Sequence, residues 1–350
     1  MRKAVKGNVS WIGYIDWELQ HFHGDDYSII NGSSQNAYLI EEEKTVLMDT
    51  VWTPHRFDFV ENLKKEIDLK KIDFIVANHG ECDHSGSLTT ILEEIPDVPI
   101  YCTENAVKSI EGQYGKRGWN FHVVKTGDSL DIGNGKKLIF LEMRMLHWPD
   151  SMATFSPILR KKLEEITALN LPIEMIAPSH GAIWRDNPMQ IVEKYAEWAQ
   201  DYQEDQVTIA FDTMWEGTTK IAYSIAEEIH RQSPDTVVKV FNISKSDKNE
   251  VMTEVFKSKA LAVGSPTVAN SILSPVAGWL EFLKQLKFKK KKAAAFGCYG
   301  WSGESVKVLQ ESLKGAGFSV IPENIRAEWV AKEEDFAAIP ALVSALLKAE

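Results

Sequence analysis

The chain has little of what would tie it to a membrane, a disulfide framework or a nucleic acid. No apolar run reaches the roughly 18 residues that a membrane span needs. The amino-terminal MRKAVKGNVSW lacks the apolar core of a signal peptide. Cysteine is scarce: Cys82, Cys102 and Cys298 are too few and too scattered for a disulfide framework, which fits a reducing compartment. No CxxC pair is present, so neither a zinc ribbon nor a rubredoxin-type iron site is built into this sequence. A cytoplasmic location without membrane contact is the expectation. Basic residues also run short, 39 Lys and Arg against 50 Asp and Glu, and the net charge of −11 argues against non-specific nucleic-acid binding. The exception is LKFKKKK, residues 286–292. It reads either as a solvated loop before a buried strand or as a docking patch for an acidic partner. There is no internal repeat and no low-complexity segment.

What is present is ordinary globular composition over 350 residues, enough for two domains. From about Trp11 to Met143, short apolar runs alternate with turns: NAYLI, KTVLMDT, IDFIVANH, VPIYCT, FHVVKTG and KLIFLEM. PHRFDFVENLKKEI and SLTTILEEI carry apolar residues at helical steps. A mixed α/β layered domain suits this order. From Val207 onward the rhythm is regular. The strand candidates VTIAF, VVKVFN, KALAVGS, KAAAFG and FSVI are separated by four helix candidates. This pattern predicts a doubly wound parallel sheet. DYQEDQ, residues 201–206, is the natural linker, giving expected domains of 1–203 and 204–350.

Two constellations carry chemistry. ANHGECDHSG, residues 77–86, follows the apolar run IDFIV and holds His79, Glu81, Asp83 and His84. Read as a strand end, it points alternating side chains to one side. Imidazole and carboxylate together suit iron, manganese or zinc, and the sets His79/Glu81 and Asp83/His84 can serve two metals a few ångströms apart. The distal ligands expected are His147 in MLHWPDS and His180 in IAPSHG, both after apolar runs. His23 is a candidate pocket residue, while His21, His55, His122 and His230 lack such a context. Cys82, between Glu81 and Asp83, is expected to point away from the metals, as neighbours on an extended segment alternate.

The second constellation is FDTMWEGTTKIA, residues 211–222, which follows a strand and opens a helix. Hydroxyls at Thr213, Thr218 and Thr219, with Gly217 between, sit where a helix amino end offers free N–H groups to a phosphate. Met214 and Trp215 share the loop. No Walker A pattern is present, and hydroxyls without its lysine suit a flavin mononucleotide (FMN) phosphate. Two further loops, GSPTVANS and FGCYGWSGE, end the third and fourth strand candidates. In a doubly wound sheet they converge on the same edge. Pro266, Thr267 and Asn270 are candidates for the flavin edge. Tyr299, Gly300 and Trp301, with Gly303 in the same loop, are candidates for its wall.

The first motif resembles the metal loop of the metallo-β-lactamase fold, His-x-His-x-Asp-His, with Glu81 in place of the middle histidine. That departure is characteristic of the flavodiiron proteins (A-type flavoproteins). DWELQHFHG, GSSQNAYLI, HWPDSM, PSHGAIWRDNP and the flavin loops resemble the same family across nearly the whole chain. The resemblance implies an α/β protein with an amino-terminal metallo-β-lactamase-like αββα sandwich and a carboxy-terminal flavodoxin-like doubly wound parallel sheet. It implies one iron on His79, Glu81 and His147, and a second on Asp83 and His180, with His84 beside them. Glutamate for histidine favours iron over zinc. The family's SPTxNN appears as SPTVAN, so Ala269 loses an amide contact, with FMN binding expected to survive.

One departure matters more. After HWPDSM the family carries a long segment holding a bridging aspartate, whereas HWPDSMAT here runs into FSPILRKKLEEI, a break after Thr154. A natural or engineered deletion, a stretch omitted from the sequence, and a substitute carboxylate such as Asp150 are the open accounts. Asp150 is the least favoured. Weakened iron binding is expected.

The function implied is an oxidoreductase taking electrons through FMN to a diiron site that reduces O2 to water, NO to N2O, or both. The resemblance also implies a head-to-tail homodimer or a dimer of dimers. No rubredoxin module is seen before Glu350, so a separate rubredoxin-like donor is expected. Two rivals stand beside this reading: a flavodoxin-type electron carrier with a disabled metal domain, and a metallo-β-lactamase-type hydrolase on zinc.

Overall fold

The computed structural model describes residues 2–22, 24, 27–145, 147–152 and 173–348. The chain divides into two compact units, Met1–Ala199 and Gln200–Glu350. Among the described residues no helix is long and apolar enough to cross a membrane.

The first unit is built on a seven-stranded sheet: Lys3–Lys6, Val9–Trp11, Tyr38–Glu41, Thr45–Met48, Phe74–Val76, Ile100–Cys102 and Phe121–Val123, in that spatial order. The first four strands pair antiparallel and the rest parallel. Leu39, Leu47, Ile75 and Ile100 reach one face, where Phe59, Leu63, Leu88, Ile91 and Ile110 of the helices Arg56–Glu66, Leu88–Glu94 and Glu104–Tyr114 cover them. On the other face Val46 and Val76 meet Ile132 and Phe140, from and beside the antiparallel hairpin of Ser129–Gly133 and Lys136–Ile139. The strand alternation explains this division, because successive side chains point to opposite faces. The helix Glu104–Tyr114 starts where Thr103 Oγ1 accepts the Ala106 N–H at 3.1 Å, and it stops at Gly115, φ 79°.

The second unit is a five-stranded parallel sheet. In chain order its strands are Glu204–Phe211, Val237–Asn242, Ser258–Gly264, Lys292–Tyr299 and Ser319–Glu328, and their spatial order is 2-1-3-4-5, the flavodoxin-like winding. The third and fourth strands are buried almost throughout, as central parallel strands should be. The fifth tolerates Pro322 because it lies at an edge.

The lysine run sits at the amino ends of these strands. Lys291 is buried, its Nζ donating to the carbonyls of Tyr202 and Phe256 at 2.8 Å and to that of Ser258. It ties three segments together and is not part of a solvated patch. Burial pulls its pKa down from 10.5 to about 8. The unfolded chain keeps this proton up to about pH 10.5 while the folded chain releases it near 8, so stability rises across that window. Lys291→Met leaves three carbonyls without their donor. It is expected to cost about 2–3 kcal/mol at pH 7 and to abolish the alkaline rise, read from denaturant midpoints at several pH values.

Candidate functional site

The metal-capable residues gather at the end of the strand Phe74–Val76. Two groups form, His79 with Glu81 and His147, and Asp83 with His84 and His180, each with one donor atom per residue within 4.8 Å of the others. Glu81 Oε2 lies 3.0 Å from His79 Nε2 and 2.9 Å from His147 Nε2. Asp83 Oδ2 lies 3.1 Å from His180 Nε2 and 3.3 Å from His84 Nε2, and the two imidazole nitrogens are 3.2 Å apart. All six residues singled out in the sequence are therefore brought together. His23 and the break after Thr154 lie outside the described residues.

Local conformation differs from the extended strand end expected. Glu81 is extended, but Cys82–Ser85 is one helical turn. That turn lets the adjacent Asp83 and His84 serve one group, which alternation along a strand would forbid. Cys82 is half-buried and belongs to neither group. His180 follows no strand: Ile176 makes only a single bridge to Trp184. Its loop is held from the stretch GSSQNAYLI instead. Ser34 O accepts from His180 Nδ1 at 2.7 Å, Asn36 Nδ2 donates to the carbonyls of Pro178 and Gly181, and the Tyr38 hydroxyl also donates to Pro178 O.

Electrostatics show what the groups are suited to hold. Burial works against charge on His79, but hydrogen bonds to Asp150 and Glu81 prevail and raise its pKa to about 9. Burial opposes the charge of Glu81 as well, and the His147 and His79 imidazoles overcome it, holding the carboxyl far below its usual range. Burial pushes His84 down to about 4, so it is a neutral donor at pH 7. Two facing imidazole nitrogens beside a carboxylate whose other oxygen, Asp83 Oδ1, is buried without a partner form a cradle for a cation. Each group is two histidines and one carboxylate, the donor set of non-haem iron. The residues present fit iron.

Two supporting carboxylates have roles that the sequence reading did not assign, Asp150 having been weighed there only as a substitute bridge. Asp150, fully buried, accepts from His79 Nδ1 at 2.9 Å and from the Gly80 N–H at 3.1 Å. It orients a ligand and does not take the place of a bridging carboxylate. A Cβ at Gly80 would sit 2.7 Å from Asp150 Oδ2, so only glycine allows the approach. Asp49, at φ 57°, accepts from the backbone and side chain of Asn78 at 2.7 and 2.9 Å and anchors the residue before His79. Its only sequence signal was a carboxylate directly after a buried strand. Asp150→Ala is expected to weaken iron binding about 10- to 100-fold, as removal of a ligand's outer partner does, measured by chelator competition.

The second unit holds a cavity of about 480 Å³ at the carboxyl ends of its strands, a size suited to a cofactor. It is lined by Thr213, Met214, Trp215, Gly217 and Thr218 of the first loop. Pro266, Thr267 and Asn270 line it from the second, and Tyr299, Gly300 and Trp301 from the third. Of the flavin candidates, Gly303 and Thr219 are not in the lining. Ser302, Cys298, Ala269, Trp329 and Val330 join it. Trp329 and Val330 follow the fifth strand, whose end went unconsidered; a tryptophan just past a strand's carboxyl end was the available signal.

The helix Gly217–Gln232 starts without a side-chain cap, its preceding residue Glu216 being left-handed at φ 62°. Its first N–H groups are free of intrahelical partners. Beside them, Thr213, Thr218 and Thr219 Oγ1 are buried without a hydrogen-bond partner, only Thr218 having a thiol, Cys298, near it. Orphaned hydroxyls at a helix amino end fit a phosphate, and the aromatic walls fit an isoalloxazine ring. The lysine run 287–292 lies at the other end of the strand Lys292–Tyr299, about 23 Å away at 3.3 Å per residue. The run is thus remote from the flavin loops, and its reading as a docking patch for an acidic partner stays an expectation.

Comparisons with known proteins agree. Residues 209–339 match the flavodoxin family and residues 33–163 the ODP family β-lactamase. The anaerobic nitric oxide reductase flavorubredoxin of Klebsiella pneumoniae subsp. pneumoniae is 47% identical, over 94% of this chain and 78% of its own. That of Vibrio vulnificus is 46% identical, over 93% and 75%. The first alignment spans 378 residues, more than this chain's 350, so the relative carries positions absent here. Among solved structures, the rubredoxin oxygen:oxidoreductase of Desulfovibrio gigas superposes with a TM-score of 0.91 at 30% identity, covering 99% of this chain and 98% of its own. The flavodiiron protein of Giardia intestinalis gives 0.90 at 25%, covering 99% and 96%. With relatives this similar across most of both chains, two histidine–carboxylate triads in one unit and a flavodoxin-like pocket in the other, this chain belongs to the flavodiiron proteins.

Proposed function

We propose that the chain is an oxidoreductase that receives electrons from a rubredoxin-type donor at FMN and delivers them to two non-haem irons that reduce NO to N2O or O2 to water. The observation that carries this is the pair of complete triads in a chain that also holds the flavin pocket. His79, Glu81 and His147 would hold one iron, and Asp83, His84 and His180 the other. Thr213, Thr218 and the first N–H groups of the helix Gly217–Gln232 would hold the FMN phosphate. When bound, the flavin supplies the change from paired to single electrons, and the irons supply gas binding and reduction. The protein's part is to hold the imidazoles and carboxylates in place and to keep the site partly dry. Trp148 stands edge-on to His79 at 5.1 Å and Phe22 to His180 at 6.4 Å, so apolar walls flank both triads.

NO is the favoured gas, because the relatives at 46–47% identity are named for it. Each N2O formed takes up two NO, two electrons and two protons, with one water released. Intact triads speak against a carrier with a disabled metal domain, and Glu81 with these relatives speaks against a zinc hydrolase. The proposal includes a cytoplasmic location and domains meeting near residue 203. It also includes a homodimer, supported by an aromatic rim at the flavin pocket where Trp215 is 90% and Trp301 84% exposed. Anaerobic NO consumption by the iron- and FMN-loaded protein with reduced rubredoxin tests the activity. Turnover of O2 alone would reverse the gas preference, and turnover of neither would sink the reading.

A further inference from the structure

The flavin pocket's third loop, Gly300 to Gly303, is short and holds two glycines, a composition that leaves a free loop many conformations. One cation orders it. Arg326, on the edge strand Ser319–Glu328 and opposite Gly297 of the fourth strand, extends its guanidinium under the loop. Nε donates to the Gly303 carbonyl at 2.9 Å and Nη2 to that of Ser302. The guanidinium carbon stands 4.7 Å from the centre of the Tyr299 ring. Gly303 is matched to it: at φ 75°, a Cβ there would lie 2.4 Å from Arg326 Nε. This explains why Gly303 belongs to the loop without lining the cavity. The two hydrogen bonds use arginine's rigid fork and the Tyr299 ring its flat cation, whereas lysine keeps the charge without the fork.

We propose that Arg326 is a positioning residue for the flavin, fixing the loop that walls the ring and favouring the ring's reduced, negatively charged form. This rests on the FMN reading above. Bound FMN would take up two electrons, delivered singly by the donor, and one proton from solvent to give an anionic hydroquinone at neutral pH. A cation fixed beside Tyr299 and Ser302, both of which line the cavity, attracts that anion more than the uncharged oxidised ring. Arg326 is itself exposed, so salt screens the attraction.

The test uses the full chain as wild type, Arg326→Gln and Arg326→Lys, each checked by circular dichroism. FMN affinity of the flavin-free proteins is read by fluorescence quenching, and the midpoint potential by titration with dithionite, at low and high salt. Arg326→Gln should bind FMN about tenfold more weakly, as expected for loss of a charge-assisted hydrogen bond, and should have a lower potential at low salt, the difference shrinking at high salt. Arg326→Lys should recover the potential and not the affinity. Equal potentials in wild type and Arg326→Gln at low salt would overturn the inference. Failure of the wild type to bind FMN would overturn the flavin reading itself, a distinct result.

Discussion

Glu81→Ala is expected to empty the first triad and lower gas reduction by at least about 100-fold, more than loss of an outer partner costs. The reason lies in one atom. Glu81 Oε2 is the shared partner of His79 Nε2 and His147 Nε2, at 3.0 and 2.9 Å. Without it two imidazoles face each other with no anion between them, and a divalent cation there loses its only carboxylate from that group. The second triad shares no residue with the first, so iron should fall towards one per chain and not to zero. Elemental analysis with single-turnover NO consumption checks both. A variant that keeps full iron and full activity would remove Glu81 from the site.

Thr213→Val with Thr218→Val is expected to weaken FMN binding by about 100-fold, since each hydroxyl would otherwise donate to a charged phosphate. The same change should leave the flavin-free protein as stable or more stable, by up to about 1 kcal/mol. Buried hydroxyls without partners cost free energy, and valine removes them at nearly the same volume. Opposite signs for cofactor affinity and flavin-free stability distinguish a phosphate site from a helix cap, whose loss lowers stability alone. Flavin fluorescence titration and denaturant unfolding supply the two readings.

Legibility in the sequence followed the range of the interactions. The cluster His79 to His84 is local and stood out at once. The five strands of the second unit were readable because buried parallel strands are short apolar runs between amphipathic helices. The 2-1-3-4-5 order then places three loops at one edge. His147 and His180 were found as histidines near apolar runs, although a loop held by Ser34 and Asn36, not a strand, presents His180. The helix Glu104–Tyr114 was missed because only Ala106 and Ile110 are fully buried in it, too few to mark a period. Asp150 and Arg326 were invisible in their present roles. Each acts on a partner distant in sequence, Asp150 on His79 seventy-one residues away, and no spacing rule reports such a pair.

The central claim is that one chain holds both a flavin and two irons, even though it is shorter than the stretch over which it aligns to its relative. Iron and flavin content of the purified protein, before and after anaerobic loading with ferrous iron, tests this most directly. The account predicts close to two irons and one FMN per chain after loading, with less iron before it. One FMN with little or no iron after loading would contradict it and leave the electron carrier as the function.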